Sequence, residues 1–255
     1  MYRGQRISVV IPCHNEEEGV RAVMAQMPAI VDEVVVVDNA STDRTAEIAR
    51  SLGARVVYEG RKGYGRAYKT GFAEAQGDII VTMDGDGTYP PTSIPLLLDV
   101  LLAEQLDFMT ARRWRSRNDK SKSPLRLFGN AVLTGTTMLL FGKFLVDSQS
   151  GMWVFRRDAL PRFQPESDTM ALSQEIKILA FTNPQVRCLE MPIYYGERVG
   201  ESKLNLWRDG FGNLLQLLTL RLTLGRRRRA LATVTPFPRS RTQPANDERV
   251  SAGQR

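Results

Sequence analysis

Residues 33–38 read Glu33-Val-Val-Val-Val-Asp38, four consecutive valines between two acids. An apolar run without alternation is typical of a strand buried on both faces of a parallel sheet. Working outward, β-rich runs predict further strands at residues 7–11, 55–58, 78–83 and 106–110. Helix-forming stretches separate these runs, at residues 16–27, 43–52, 65–75 and 92–104. Alternating strands and helices predict an α/β fold with a doubly wound, mostly parallel sheet.

The second half of the chain is less regular. Residues 112–126 form a polar stretch with seven Lys or Arg and one acid, which predicts a basic loop. After it, the pattern predicts helices at 127–141, 171–182 and 207–224, with strands at 151–156 and 186–195. From residue 230 onward Pro, Ser, Thr and Arg dominate, and this composition predicts disorder.

The net charge of +7 belongs to the C-terminal tail of this 255-residue chain. Residues 221–255 hold nine arginines and two acids, and the remaining 220 residues carry 26 charges of each sign. A nucleic-acid-binding body is expected to carry its own basic face, which the neutral body does not indicate. We therefore expect no nucleic-acid partner.

The two cysteines, Cys13 and Cys188, lie far apart and lack CxxC spacing, so neither a disulfide framework nor a thiolate zinc site is expected. They are interpreted as buried thiols in a reducing compartment. The chain passes from Met1 almost directly into a strand, which argues against a leader peptide. Because no apolar run reaches about 18 residues, no transmembrane helix is expected.

Polar residues follow three of the predicted strands, where open parallel sheets bind ligands. The strongest of these endings is Asp84-Gly-Asp86. Two carboxylates separated by one glycine can both reach one hard cation, and oxygen ligands suit Mg²⁺ or Mn²⁺. Asp and Gly are also turn residues, so an ordinary turn is the alternative. Its place directly after a buried strand favours the metal site.

Asp38 also ends a strand, as does the ribose-binding acid of dinucleotide-binding folds. Those folds need a glycine-rich turn after the first strand, and here that position reads Pro12-Cys-His-Asn-Glu-Glu17. A nicotinamide enzyme is therefore disfavoured, and Asp38 is either an acceptor for a base or ribose or simply a turn acid. His14 is the only histidine and is interpreted as a structural loop residue, since no nucleophile elbow accompanies it.

The ordered set of motifs resembles family 2 inverting glycosyltransferases of the GT-A fold, within them the dolichyl- or polyprenyl-phosphate sugar synthases. The matching stretches span about residues 7–205. They are Val9-Val-Ile-Pro-Cys-His-Asn-Glu-Glu17, Val36-Val-Asp-Asn-Ala-Ser-Thr-Asp-Arg-Thr45, Gly63-Tyr-Gly-Arg-Ala67, Met83-Asp-Gly-Asp86, Asp147-Ser-Gln-Ser-Gly151 and Arg198-Val-Gly-Glu-Ser-Lys203. Each stretch alone is weak, and their common order makes the resemblance specific.

The resemblance implies roles for individual residues. The nucleotide pocket would be lined by Pro12, Glu16, Asp38 and Gly63, and the metal and diphosphate would be held by Asp84 and Asp86. Phosphate groups near the acceptor would be faced by Arg112, Arg126 and Asn130, with Arg198, Ser202 and Lys203 in a segment that closes over the diphosphate or acceptor phosphate. One departure is Thr88, where some dolichyl-phosphate mannose synthases have a glutamine that assists the metal, which puts mannose in doubt.

The acceptor decides which residues the chemistry needs. A hydroxyl acceptor requires a general base, for which Asp147 is the candidate and Glu175 a second nearby acid. A polyprenyl phosphate is already anionic and needs positive charge to position it, which the basic stretch at residues 112–126 supplies unless it is only a solvated loop.

The last predicted helix also bears on the acceptor. Its apolar residues follow helical spacing on two faces: Trp207, Phe211, Leu214, Leu215, Leu218 and Leu222 on one, and Leu217, Leu220 and Leu224 on the other. Four arginines follow at residues 226–229. An apolar helix with a basic end suits an anionic lipid surface, and a helix that covers the core fits equally well.

The sequence thus predicts a catalytic domain over residues 1–205, an amphipathic helix with a basic cluster over 206–229, and a disordered tail over 230–255. The expected function is metal-dependent, inverting transfer of a sugar from a nucleoside-diphosphate sugar to a polyprenyl phosphate. The expected place is the cytoplasm, peripheral at the inner face of the cell membrane. Two alternatives stay open: transfer to a saccharide or small-molecule hydroxyl, and a non-catalytic nucleotide-sugar-binding protein that docks on membranes.

Overall fold

The computed structural model describes residues 1–114, 124–200 and 206–232, and these residues form one seven-stranded sheet with helices on both faces. In spatial order β3-β2-β1-β4-β6-β5-β7, only β6 runs antiparallel to its neighbours. This confirms the predicted α/β fold with a mostly parallel sheet. The strands are β1 Ile7–Cys13, β2 Glu33–Asp38, β3 Arg55–Tyr58, β4 Ile79–Thr82, β5 Phe108–Trp114, β6 Trp153–Arg156 and β7 Cys188–Tyr194.

The helices cover the sheet in two layers. Helices α1, α2 and α4 pack on one face and α3, α5, α6 and α7 on the other, each with its own apolar core. The bounds are α1 Glu17–Ala25, α2 Thr45–Ser51, α3 Tyr64–Glu74, α4 Ile94–Ala103, α5 Pro124–Phe141, α6 Leu172–Thr182 and α7 Leu206–Ala232. Short 3-10 turns at Pro91–Ser93 and Arg157–Arg162 precede α4 and follow β6.

The valine run of β2 is apolar throughout because both faces of the strand are covered. Val36 lies in the core under α1, α2 and α4, whereas Val35 and Val37 lie in the core under α3. All three are fully buried. Each such side chain contributes about 1.5–3 kcal/mol by leaving water, so the strand is fixed at the centre of the molecule.

Two elements extend further than predicted. β5 continues to Trp114, through residues predicted to be a basic loop, because it pairs with β7 along its whole length up to Trp114 opposite Tyr194. α7 continues to Ala232 because arginine is a good helix former, so its last three residues correct the predicted start of disorder at residue 230. The remaining tail lies outside the described residues. Cys13 is buried as predicted, whereas Cys188 is only half-buried.

Within the ranges given above, no helix is both long enough and apolar enough to cross a membrane.

Gly19 allows α1 to pack directly on the turn that joins Asp84 to Asp86. A Cβ atom at Gly19 would collide with the carbonyl oxygen of Gly85, which is backbone and cannot rotate away. We predict that Gly19→Ala lowers the free energy of unfolding by about 2 kcal/mol, as overpacking does. The matched control is Gly135→Ala in α5, where a Cβ meets nothing within 4 Å.

In that control, alanine should raise the free energy of unfolding by about 0.5–1 kcal/mol, because glycine is the poorer helix former. Urea unfolding of both variants checks the pair. Equal effects in the two variants would show that the close approach of α1 to the turn does not matter.

Candidate active site

Three strand endings meet at one edge of the sheet. Cys13, at the end of β1, is in register with Asp38 at the end of β2, and the backbone N–H of Met83 after β4 bonds to Val10 of β1. The polar residues after these strands therefore converge, as the predicted topology requires. The arrangement is the crevice at the carboxyl ends of parallel strands in which open α/β sheets bind their ligands.

Asp84 is an acid in this crevice whose pKa is raised by its surroundings. Its Oδ1 atom accepts hydrogen bonds from the Tyr64 hydroxyl at 3.1 Å and the Tyr68 hydroxyl at 3.4 Å. Burial, followed by the negative charge of Asp86, raises the pKa of Asp84 to about 7. Two close carboxylates in a buried place repel each other, so a nearby positive charge stabilises the pair.

Asp86 is buried and held from both sides. Its Oδ1 atom accepts hydrogen bonds from the Thr88 hydroxyl at 2.6 Å and the Thr88 backbone N–H at 3.0 Å. Its Oδ2 atom lies 2.5 Å from Arg198 Nη2, and Arg198 Nη1 lies 3.4 Å from Glu16 Oε1. Three residues predicted separately from the sequence are thus in contact, and Thr88 orients the second acid of the motif.

The donor set fits a hard divalent cation. Among the described residues, no group of three or more His, Cys, Asp or Glu side chains forms a metal cage. Two carboxylates completed by substrate phosphates and water are how Mg²⁺ is typically bound. The pKa of Asp84 stays raised even though Arg198 contacts Asp86, so a cation beside the pair would stabilise its charged form. Arg198 shares Asp86 with any cation bound there.

Arg113 is the residue that sequence reasoning missed. Its Nε and Nη2 atoms donate to the two carboxylate oxygens of Asp147 at 2.7 and 2.8 Å, and its guanidinium lies 5.5 Å from the Tyr195 ring centroid. The charge of Arg113 also acts on Asp84, whose pKa it lowers against the larger effect of burial. Side chains alternate along β5, which turns the predicted Arg112 to the opposite face. Extending the strand two residues into the basic stretch would have identified Arg113.

The surroundings of Asp147 do not suit a general base, because Arg113 binds its carboxylate. Burial alone would raise its pKa, but the charge and hydrogen bonds of Arg113, with the charge of Lys177, hold the pKa well below its usual range. A carboxylate this acidic accepts a proton poorly. Glu175, the other predicted acid, is fully buried and accepts the backbone N–H groups of Glu166 and Ser167, so it caps a turn.

The predicted nucleotide side of the crevice is built around Asp38 and its neighbour Asn39. Asp38 Oδ1 accepts the Ser41 backbone N–H at 3.0 Å. The Asn39 side chain donates to the carbonyls of Glu59 and Arg61 and accepts the N–H of Gly63 at 2.8 Å. Asn39 therefore fixes the Gly63 turn against the end of β2, a role that the sequence did not reveal.

Two other predicted pocket residues and the histidine complete this side. Pro12 is half-buried near the end of β1 and lies opposite Val37 in the sheet register. A Cβ atom at Gly63 would lie 2.5 Å from the Asp168 carbonyl oxygen, so only glycine fits the approach of this turn. His14 Nε2 lies 3.3 Å from Lys62 Nζ, at the rim of the crevice.

Several predicted acceptor residues stay predictions. Asn130 is half-buried on α5, and Arg126 lies within the same helix, with its side chain outside the described part. Ser202 and Lys203 lie outside the described residues.

Lys177 is a fully buried lysine that bonds to the loop at residues 147–151, which carries Asp147. Its Nζ atom donates to the Asp147 carbonyl at 2.8 Å and to Ser150 Oγ at 2.7 Å. Burial lowers its pKa to about 7, although the charge of Asp147 opposes the shift. The loop at residues 147–151 is thereby anchored to α6.

Because of Lys177, the free energy of unfolding should depend on pH in the alkaline range. Between about pH 7 and 10 the unfolded chain keeps a proton on Lys177 that the folded protein has largely lost, so the unfolded state binds more protons. The free energy of unfolding should therefore rise with pH in this window, by at most about 1.4 kcal/mol per unit from this group. Lys177→Met should remove that rise, and urea midpoints across the window check it. Lys69→Met, at a partly exposed lysine bound to Asp168, should retain the slope.

Comparisons with known proteins agree with this geometry. Residues 8–163 match the model of the family described as glycosyl transferase family 2. A dolichyl-phosphate hexose transferase of Haloferax volcanii is 34% identical over 215 residues, which cover 82% of this chain and 91% of that protein. The low-salt glycan biosynthesis hexosyltransferase Agl6 of the same organism is also 34% identical, over 83% of this chain, and the chain spans about half (53%) of its length.

Solved structures share the fold. Glucosyl-3-phosphoglycerate synthase from Mycobacterium tuberculosis, determined with Mn²⁺, UDP-glucose and phosphoglyceric acid, superposes with a TM-score of 0.70 at 24% identity. The match covers 86% of this chain and 80% of that one. The family match over most of the chain and the two relatives, together with the crevice and its acidic pair, give one conclusion: this chain belongs to glycosyl transferase family 2 and is a glycosyltransferase with a GT-A-like α/β fold.

Proposed function

We propose that this enzyme transfers a sugar from a nucleoside-diphosphate sugar to a polyprenyl phosphate, with inversion and with Mg²⁺ or Mn²⁺ at Asp84 and Asp86. The observation that carries the proposal is the charge pattern of the crevice. Arg198 contacts Asp86 of the acidic pair, and Arg113 forms an ion pair with the candidate base Asp147 and lowers its pKa. Such a site suits two phosphate-bearing substrates, since arginine binds phosphate through several N–H donors.

The donor would lie along the β1, β2 and β4 endings. Pro12, Glu16, Asp38 and Gly63 would contact the nucleoside, and Asp84 and Asp86 would hold the cation beside the diphosphate. A divalent cation there would neutralise the diphosphate and so stabilise it as a leaving group. Arg198 would add a second positive charge near the same phosphates once it shares Asp86 with the cation.

The acceptor would lie on the Arg113 side. An oxygen of the polyprenyl phosphate forms a bond to the anomeric carbon while the bond from that carbon to the diphosphate breaks and its electrons leave with the diphosphate. The nucleophile is already anionic, so no proton has to be removed. Arg113 uses two of its five N–H donors on Asp147, and we infer that others meet the acceptor phosphate. Arg126, Asn130, Ser202 and Lys203 stay candidates for the same task, whereas Arg112 lies on the opposite face of β5, and Asp147 becomes a positioning residue.

The exposed apolar side chains of α7 favour a lipid-linked acceptor. Phe211, Leu215, Leu218 and Leu222 are exposed in one stripe, while Leu217, Leu220 and Leu224 are buried in the core. One face of α7 therefore covers the core, and the exposed apolar side chains of the other face support the lipid-surface interpretation. Arg221, Arg226 and Arg229 are exposed on the same helix and would attract an anionic lipid surface. We propose peripheral attachment at the inner face of the cell membrane.

The relatives' names support the lipid phosphate, because a second one, from Methanococcus voltae, is described as a UDP-N-acetylglucosamine–dolichyl-phosphate N-acetylglucosaminyltransferase and is 28% identical over 60% of this chain. The competing function is transfer to a soluble phosphate-bearing hydroxyl compound, favoured by the fold shared with the phosphoglycerate-binding structures. The exposed stripe on α7 has no role in that alternative.

Thermal stabilisation tests the donor half of the proposal. Purified protein is heated with UDP-, GDP- and dTDP-sugars, each with Mn²⁺, Mg²⁺ or a chelator. A ligand that binds only the native state raises the melting temperature. One donor should therefore stabilise the protein, and only when metal is also present. Absence of stabilisation by every donor would contradict the assigned site.

A further inference from the structure

Four amide side chains meet between α6, α7 and the loop that carries Asp147. We call Gln149, Gln174, Asn213 and Gln216 the amide cluster. The Asn213 amide donates to Gln149, the Gln149 amide donates to Gln174, and the Gln174 amide donates to Gln216, each at 2.9 Å. Gln174 also donates to the Asn213 carbonyl at 2.6 Å. The cluster therefore joins three separate elements.

The bonds between the side-chain amides run in one direction, from Asn213 to Gln216, so Gln149 and Gln174 each both donate and accept. Gln174 is fully buried and Asn213 nearly so. A displaced partner would leave a buried amide unsatisfied, which costs more than the bond itself contributes. The position of α7 and the position of the loop are consequently not independent.

The loop end of the cluster reaches the acceptor side of the crevice. The Gln149 backbone N–H donates to Asp147 Oδ1 at 3.1 Å, and both carboxylate oxygens of Asp147 hold Arg113. A continuous path of hydrogen bonds thus runs from Asn213 on α7, through Gln149 and Asp147, to Arg113. The acidic pair on the donor side is held by other residues, Tyr64 and Thr88.

The other end of the path is the helix with the exposed stripe. Asn213 lies between Phe211 and Leu215, which are both exposed, and one turn before the buried Leu217. Asn213 therefore links the helix that carries the exposed apolar side chains to the loop.

We propose that the amide cluster couples the position of the Arg113 side chain to the position of α7. Contact of α7 with a lipid surface would then place Arg113 to bind the acceptor. This inference rests on the proposed function. Gln149 and Asn213 act through Asp147 and are positioning residues. The donor side should not respond to them.

Hydrogen exchange measured by mass spectrometry tests the coupling. Wild type, Asn213→Ala and Thr219→Ala are compared with and without phosphatidylcholine vesicles that contain phosphatidylglycerol. Thr219 is exposed on α7 and its hydroxyl bonds to the Leu215 carbonyl of its own helix, so Thr219→Ala leaves both the core contacts and the amide cluster unchanged. In wild type, vesicles should slow exchange in α7 and also in residues 147–151. In Asn213→Ala the slowing should persist in α7 and vanish in the loop.

Kinetics supply the second readout. Asn213→Ala should raise KM for polyprenyl phosphate about tenfold, the equilibrium factor for one lost buried hydrogen bond, without changing the stabilisation by donor and metal. An equal rise in Thr219→Ala, or loop protection by vesicles that survives in Asn213→Ala, would overturn the coupling.

Failure of the proposed function and failure of the coupling give different results. If wild type neither binds vesicles nor uses polyprenyl phosphate, the proposed function is wrong, and the loop is then compared without lipid. There, Asn213→Ala should speed exchange in residues 147–151 more than Thr219→Ala does. The same exchange in both variants would reject the positioning role as well.

Discussion

Asp86→Ala should lower kcat/KM for sugar transfer by about 10³-fold, because a metal ion supplies several kcal/mol of transition-state stabilisation and each 1.36 kcal/mol is a tenfold change in rate. Asp86 is buried, and the variant also leaves Arg198 without its 2.5 Å contact to Oδ2. Both the cation and the diphosphate should therefore lose a defined place. Initial rates at saturating acceptor, with the metal varied, measure the effect.

The matched controls separate charge from general damage. Asp86→Asn keeps the shape and the acceptor oxygen for Thr88 but removes the negative charge, and it should be almost as inactive. Asp99→Asn removes an exposed acid of α4 that pairs with Arg3 at 2.7 Å, and this variant should leave the rate unchanged. If Asp86→Asn kept most of the activity, the carboxylate would not be a metal ligand.

Arg113→Ala should have the second large effect, on the acceptor and on stability together. It removes a bidentate partner from Asp147, whose side chain is only 11% exposed. Breaking a buried ion pair by removing one partner costs about 3–5 kcal/mol, although the charge of Lys177 nearby reduces the penalty here. KM for polyprenyl phosphate should rise by at least about tenfold, since charge-assisted hydrogen bonds to phosphate are lost.

Arg112→Ala is the control for this prediction, because the two arginines are adjacent and lie on opposite faces of β5. It should change the free energy of unfolding by less than about 0.5 kcal/mol, as for most surface substitutions. Arg113→Lys keeps the charge, cannot form the bidentate pair and should fall between wild type and alanine. Urea unfolding and acceptor titrations measure all three. A larger acceptor effect from Arg112→Ala would return the role to the residue that the sequence first indicated.

The difference between these arginines shows what sequence patterns can and cannot predict. β2 and β3 were predicted with their observed bounds, because short runs rich in valine between turn residues favour strands. β5 was cut short at residue 110, because its last residues are charged and look like a loop. Only its pairing with β7, a contact between residues about 80 positions apart, makes Arg113 a strand residue.

The same distinction applies to the site. Asp84 and Asp86 share one stretch, whereas Glu16 and Arg198 come from two others, and the structure brings Glu16, Asp86 and Arg198 into contact. Asp147 was recognised as a site residue, but its ion pair with Arg113 depends on tertiary packing that no local pattern encodes. The links made by Asn39 and by the amide cluster were missed for that reason too.

The central claim, that the acceptor is a polyprenyl phosphate, is tested by a competition between acceptors. The enzyme is incubated with the donor and metal that stabilise it, together with polyprenyl phosphate in anionic vesicles and an excess of soluble phosphate-bearing hydroxyl compounds, and the products are identified by mass spectrometry. We predict that the sugar appears on the lipid phosphate, with inverted anomeric configuration, and that Arg113→Ala loses this product. Transfer to a soluble hydroxyl compound, with the polyprenyl phosphate left unmodified, would contradict the account.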